Sequence, residues 1–151
     1  AAELAGEEMG SRAEHVRRLR DKLINGISNV EKIHLTGHSQ YRLPGHASFC
    51  VEFIEGEAML LLLAAKGVYA ASGSACSSKA LKSSPVLLAM GIPSSLAQGS
   101  IVFSLGKDNS EEDTEYLLAE FPQVIKRLRE ISPYGKGWGI KGEGGECIVQ
   151  K

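Results

Sequence analysis

Apolar residues recur chiefly at intervals of three and four in the first part of the chain. Val16, Leu19, Leu23, Ile24 and Ile27 make a stripe that predicts an amphipathic helix from about Glu3 to Ile27. The charges of Arg17, Arg18, Arg20, Asp21 and Lys22 fall mostly off that stripe and read as its solvated face. Residues 28–46, SNVEKIHLTGHSQYRLPGH, mix turn formers with short apolar pieces and predict an irregular connection with one short strand around Ile33 to Leu35. In ASFCVEFIEGE the period changes to two. Phe49, Val51 and Phe53 point one way and Ser48, Cys50 and Glu52 the other, the pattern of a strand half-buried against helices. Gly56 to Lys66 reads as a helix that is apolar nearly all round and therefore central, closed by Gly67 as a left-handed residue.

VYAAS (68–72) predicts a second short strand, which runs into SGSACSSKALKSSP (72–85). Pro85 opens a short apolar helix, because a proline at the first helical position gives up no hydrogen bond. GSIVFSLG (99–106) alternates again and predicts a third strand. Ser110 and Asp113 have the spacing of a capping box, and Leu117, Leu118, Phe121, Val124, Ile125 and Leu128 give the apolar face of a closing helix. Pro122 within it lacks an N–H and crowds the turn before it, which predicts a kink or break near Leu118 to Phe121. Residues 133–151, PYGKGWGIKGEGGECIVQK, are dense in glycine with little periodicity; such a stretch buries too little apolar surface to offset its ordering entropy and predicts a flexible tail unless a partner holds it. The sum is an α+β domain: a small three-stranded sheet with helices packed on one face and a mobile loop at one edge.

Composition narrows the function classes. A chain of 151 residues, 43% hydrophobic and 23% charged, has enough apolar content for one compact domain, or one domain plus a tail. A net charge of -1 provides no basic surface for nucleic acid. The longest apolar run, AMLLLLAA at 58–65, is far short of the roughly 20 residues that cross a bilayer, and the acidic, helix-favouring AAELAGEEMG at the start is unlike a secretory signal. These features read as cytoplasmic. Because the chain opens in helix-forming sequence with no cap residue ahead of it, it also reads as a piece of something longer.

Three cysteines at irregular spacing, with no CxxC pair, indicate neither a disulfide framework nor a zinc knuckle. Cys76 is set among Ser, Gly, Ala and Lys, which keep a segment solvated, and exposure is what a reactive thiolate first requires. Lys79 and Lys82 favour the thiolate, though only weakly through water and salt. With no fixed base beside it, the residues by themselves leave both a functional nucleophile and an inert exposed thiol open. Cys50 reads as a small packed residue of a strand, and Cys147 as incidental in the tail. His15, His34, His38 and His46 show no pairing at ligand spacing within a regular element, so no metal site is expected; His38 and His46 read as bonded locally or facing water.

The order of these segments is recognisable. RLPGHASFCVEFIEGEAMLLLLAAKGVYAASGSACSSKALKSSPVLLAMGI, then GSIVFSLG, then SEEDTEYLLAEFPQVIKRLREISP, resembles the C-terminal small domain of cysteine desulfurases of the NifS/IscS group, pyridoxal-phosphate enzymes of the class V aminotransferase fold. The similarity spans about residues 1–133, leaving 134–151 as the Gly-rich tail. It implies that L-cysteine is converted to L-alanine with the cofactor as electron sink, and that Cys76 takes the sulfur as a persulfide. Acceptors would be iron-sulfur scaffold or thiolation proteins. A cysteine that must reach the cofactor and then another protein needs hinge freedom, which the Gly-Ser-Ala-Ser setting supplies, and the length from Ala71 to about Ser84 fits the longer-loop class of these enzymes.

The resemblance also implies what lies elsewhere. The family's cofactor lysine follows a histidine, and none of the four histidines here precedes lysine, so pyridoxal 5'-phosphate is expected in the full-length protein and not on this chain. The N-terminal cofactor domain would carry that lysine and most of a homodimer interface, and this chain by itself is expected to be inactive. At Val102 the family usually has arginine to pair with the substrate carboxylate. The substrate-binding residue is thus left unassigned. Besides the desulfurase reading, this substitution keeps open a non-enzymatic sulfur-relay or scaffold-binding module.

Overall fold

A computed structural model of the chain describes residues 2–73 and 83–132. Cys76 with Lys79 and Lys82, and the expected tail with Cys147, lie outside the described residues. The elements run α1 (Ala2–Ser28), β1 (Ile33–Leu35), β2 (His46–Val51), α2 (Gly56–Ala64), α3 (Pro85–Ala89), α4 (Ser94–Ala97), β3 (Ser100–Ser104) and α5 (Glu111–Ile131). The three strands form one antiparallel sheet in the order β1-β2-β3.

Strand alternation sorts the side chains as the period of two requires. Ala47, Phe49 and Val51 of β2 share one face with Ile101 and Phe103 of β3, and all five are buried. Onto this face pack α1 through Leu23 and Ile27, α2 through Met59 and Leu63, and α5 through Leu117, Phe121, Val124, Ile125 and Leu128. Within that core Phe103 sits edge-on between Phe49 and Phe121. The opposite face carries a smaller cluster in which Cys50 meets Leu87 of α3 and Ala97 of α4. The turn of helix at α4 had no signal in the apolar pattern.

The predicted α1 stripe is inside, but Arg20 departs from the solvated face expected of it. It is only 4% exposed: Nε and Nη2 donate to Asp21 Oδ1 at 2.9 and 2.7 Å, and Nη1 donates to the Leu43 carbonyl at 3.1 Å. A guanidinium is tolerated there because its donors find charged and carbonyl acceptors, and it ties α1 to the β1–β2 connection.

The strand expected over 68–72 shrinks to a single bridge between Ala71 and Val102, and the sheet's remaining strand is β1. Val68 is still occupied in closing α2: its N–H reaches the Leu63 carbonyl at 2.9 Å while Gly67, at φ 78, bonds Ala64 at 2.9 Å. The chain therefore has no backbone donor free for β3 until it passes this cap. Phe53 likewise does not prolong β2. The Glu52 N–H turns to the Lys32 carbonyl at 3.1 Å and Phe53 takes φ 65, with Lys32 Nζ over its ring at 5.2 Å.

The central placement expected for α2 is not found. Gly56, Met59 and Leu63 are buried, but Leu61 is 72% exposed, because among the described residues α2 packs chiefly against α5 and β3, along one side. Nor does α5 break: it runs unbroken through Pro122. Pro122 stands on the exposed side, while Leu117, Phe121, Val124, Ile125 and Leu128 stay buried before and after it. At roughly 1.5–3 kcal/mol for each buried apolar side chain, that face outweighs the roughly 3 kcal/mol a mid-helix proline costs. The capping box forms as read, with Asp113 N donating to Ser110 Oγ at 3.1 Å and Ser110 N to Asp113 Oδ2 at 3.0 Å.

Candidate functional site

The face of the sheet away from the main core is polar. His46, Ser48 and Cys50 of β2 pair there with Ser104, Val102 and Ser100 of β3, and His34 of β1 pairs with Cys50. Ser48 and Ser100 are buried, and the Ser48 hydroxyl accepts from Thr36 Oγ1 at 2.7 Å. Val102 is half-buried in this row. Its backbone exchanges two hydrogen bonds with Ala71, at 2.7 and 3.0 Å, so the chain that leads to Cys76 lies beside it.

Past that bridge, the Gly73 N–H donates to Ser100 Oγ at 3.1 Å. On the return side the Ser83 hydroxyl contacts Ser94 Oγ at 2.7 Å and donates to the Ser94 carbonyl at 3.1 Å, and the buried Ser84 opens α3. Both ends of the segment bearing Cys76 thus meet on the polar face, close to Val102. Ser100, Ser83 and Ser94 carried no signal in the sequence, because each acts on a partner distant along the chain or in a turn without periodicity.

Val102 brings no charge to this row. Arg42, at the β1–β2 connection, donates from Nε to the His38 carbonyl at 2.8 Å and from Nη2 to the Thr36 carbonyl at 3.0 Å. Burial, with Arg20 nearby, lowers its pKa.

The histidines do not converge. His15 Nε2 is 2.8 Å from the Asn109 carbonyl, and His34 Nε2 is 2.7 Å from Glu52 Oε1. His38 Nδ1 accepts from the Gln40 and Tyr41 N–H groups, both at 3.0 Å, in the local bonding expected for it. Among the described residues no three His, Cys, Asp or Glu side chains come together as a metal site.

Cys50 is fully buried, as its strand position predicted, and burial pushes its thiol pKa up from 9.0 to about 11. The folded state therefore holds this proton longer than the unfolded chain. Its contribution to stability is complete below pH 9 and is lost as pH rises from 9 toward 11. Relative to Cys50→Ala, the native chain is expected to lose on the order of 2 kcal/mol over that window, measured by urea unfolding at stepped pH.

The pattern matched by residues 1–117 is that of aminotransferase class V. The chain belongs to that family. It is 44% identical over 133 residues to the cysteine desulfurase IscS of Methanosarcina thermophila, covering 88% of this chain and 33% of the relative. It is 43% identical to cysteine desulfurase IscS 1 of Archaeoglobus fulgidus, covering 88% of this chain and 35% of the relative. Among solved structures it superposes on a NifS-like protein with a TM-score of 0.72 at 32% identity, over 83% of this chain and 31% of that one. A NifS-like protein from Rickettsia africae shares the fold at the same TM-score and 20% identity. The chain spans about a third of the length of these class V relatives.

A pyridoxal phosphate site needs a lysine for the aldehyde and donors for the phosphate. Lys22 is engaged with Glu115 and Glu111, Lys66 with Glu120 and Lys107 with Asp108, while Lys32 lies over Phe53. Lys126 is exposed on α5, and none of these five lysines belongs to the polar face of the sheet.

Proposed function

We propose that residues 1–133 are the small domain of a full-length cysteine desulfurase and that Cys76 receives sulfur from L-cysteine. The supporting observation is the 44% identity to a protein of that name over 88% of this chain. The Cys76 thiolate attacks the substrate sulfur, an S–S bond forms as the substrate carbon–sulfur bond breaks, and alanine leaves after protonation of its carbon. Pyridoxal phosphate supplies the electron sink and is held by the rest of the full-length protein, a homodimer through that part. The persulfide then passes to an iron-sulfur scaffold or thiolation protein in the cytoplasm. Residues 134–151 are an extension of the domain, and this chain by itself is expected to show no turnover.

Val102 favours a second reading, a non-enzymatic sulfur-relay module. Valine cannot donate to a carboxylate, and an anion left unpaired in a closed site costs several kcal/mol. The deciding experiment measures alanine and sulfide release from cysteine by the full-length protein, native and Val102→Arg. Release by the native form is expected for the desulfurase; release only with arginine would establish the relay reading.

A further inference from the structure

Helices α3 and α4 lie over the polar face of the sheet with little to hold them there. Leu87 of α3 and Ala97 of α4 reach inward to Cys50, with Ile92 and Leu96 beside them, in a cluster separate from the main core. α3 turns Leu87 inward and leaves Val86, Leu88 and Met90 outside, at 65, 45 and 49% exposure. A segment that keeps more large apolar side chains out than in gains little from docking, because the hydrophobic driving force follows the apolar area removed from water.

The backbone of the pair is likewise closed on itself. Among the described residues, the backbone-to-backbone hydrogen bonds of residues 84–97 stay within 84–99: the Leu88 N–H reaches the Ser84 carbonyl at 3.1 Å, Met90 reaches Val86 and Ile92 reaches Leu87 at 3.0 Å each, and Leu96 and Ala97 reach Pro93 at 3.0 and 2.9 Å. The Ser83 hydroxyl, 2.7 Å from Ser94 Oγ, ties the start of α3 to the start of α4 and couples the two helices. Backbone bonds to the rest of the fold begin past α4, where the Gln98 carbonyl accepts from Gly56 and the Gly99 carbonyl from Val51, both at 2.9 Å. Gly99 is packed so closely that a Cβ there would run into the Val51 carbonyl oxygen. One end is thus fixed by hydrogen bonds while the remainder rests on the sheet through a few side chains, which is the construction of a lid hinged at Gln98 and Gly99.

We propose that α3 and α4 are a lid that swings off the sheet as one unit, uncovering the buried Cys50 end of the polar face while the main core stays folded. Access to that end of the face is then set by the closing of the lid and not by unfolding of the domain. Leu87 is the chief contact that keeps it shut. Cys50 serves as the reporter, because its thiol is fully buried when the lid is closed.

The test uses the full-length protein. Iodoacetamide is applied at concentrations where the rate is proportional to reagent, modification of Cys50 is followed by peptide mass spectrometry, and hydrogen exchange is followed at the Phe121 and Leu128 amides of α5. Protection is the rate in the unfolded chain divided by the rate in the native protein. Cys50 is expected to be at least a hundredfold less protected than the two amides, with a urea dependence less than about a third as steep, since the slope follows the surface exposed on opening. Leu87→Ala should speed Cys50 modification at least tenfold. Val124→Ala, which thins the main core, should speed exchange at Phe121 and Leu128 but change Cys50 modification less than twofold, because its contacts persist when the lid is open. Cys50 protected as strongly as the α5 amides, with the same urea slope, overturns the lid, and this comparison in the native protein decides even if a variant fails to fold. An unaltered Cys50 rate in Leu87→Ala, or one that rises in step with core exchange in Val124→Ala, overturns it as well.

Discussion

Replacing Cys76 by serine is expected to lower sulfur release from cysteine by the full-length protein at least a thousandfold, with the unfolding curve unchanged. Serine keeps the size and polarity of the side chain but has no sulfur with which to form a persulfide, and loss of a covalent nucleophile removes the pathway rather than weakening it. Sulfide release and the mass gain of one sulfur atom on the protein are the two readouts. Cys50 is poorly placed to substitute: it is buried and its pKa is pushed up to about 11, so near neutral pH it holds its proton. Alkylation of the native protein at neutral pH should accordingly modify Cys76 well before Cys50. Equal rates would contradict the exposed, nucleophilic Cys76, and turnover surviving in the serine variant would refute it outright.

Phe121→Ala is expected to destabilise the chain by about 3–5 kcal/mol, measured by urea unfolding at neutral pH. Phe121 is fully buried and stands edge-on to Phe103 at 5.8 Å between ring centroids, which in turn meets Phe49 at 6.4 Å. Removing it opens a cavity between α5 and the sheet and ends one aromatic contact of the three-ring row. It also weakens the burial that carries α5 through Pro122, so helical signal should fall in step with tertiary unfolding. A loss below about 1 kcal/mol would mean that the neighbours collapse into the space and that another interaction keeps α5 continuous.

Where a local rule met no competitor, the sequence was read correctly at residue level. The period-two runs became β2 and β3, and their core faces are the apolar faces the alternation predicted. Gly67 takes the left-handed conformation, Pro85 opens α3, and Ser110 with Asp113 closes the capping box. Each depends on residues within a few positions of one another. The readings that failed were those in which a distant partner outbid a local tendency. Arg20 had a local reading as solvated and a tertiary acceptor at Leu43; Pro122 had a local reading as a breaker and a sheet to pack on.

The candidate site divides along the same line. Cys76 stood out by composition, and the departure at Val102 by resemblance. The place where the chain leading to Cys76 leaves the sheet beside Val102 required the Ala71 bridge and the Gly73 to Ser100 hydrogen bond, contacts between residues about thirty positions apart. By itself the sequence determined the helices other than α4, the residues of the three strands, the caps and the family. Tertiary structure decided which short apolar piece completed the sheet, where a charge could be buried and where the Cys76 segment is anchored. The reason is physical: periodicity and capping act within a turn or two of chain, whereas hydrogen-bond satisfaction and burial are settled by whichever distant groups the fold brings near.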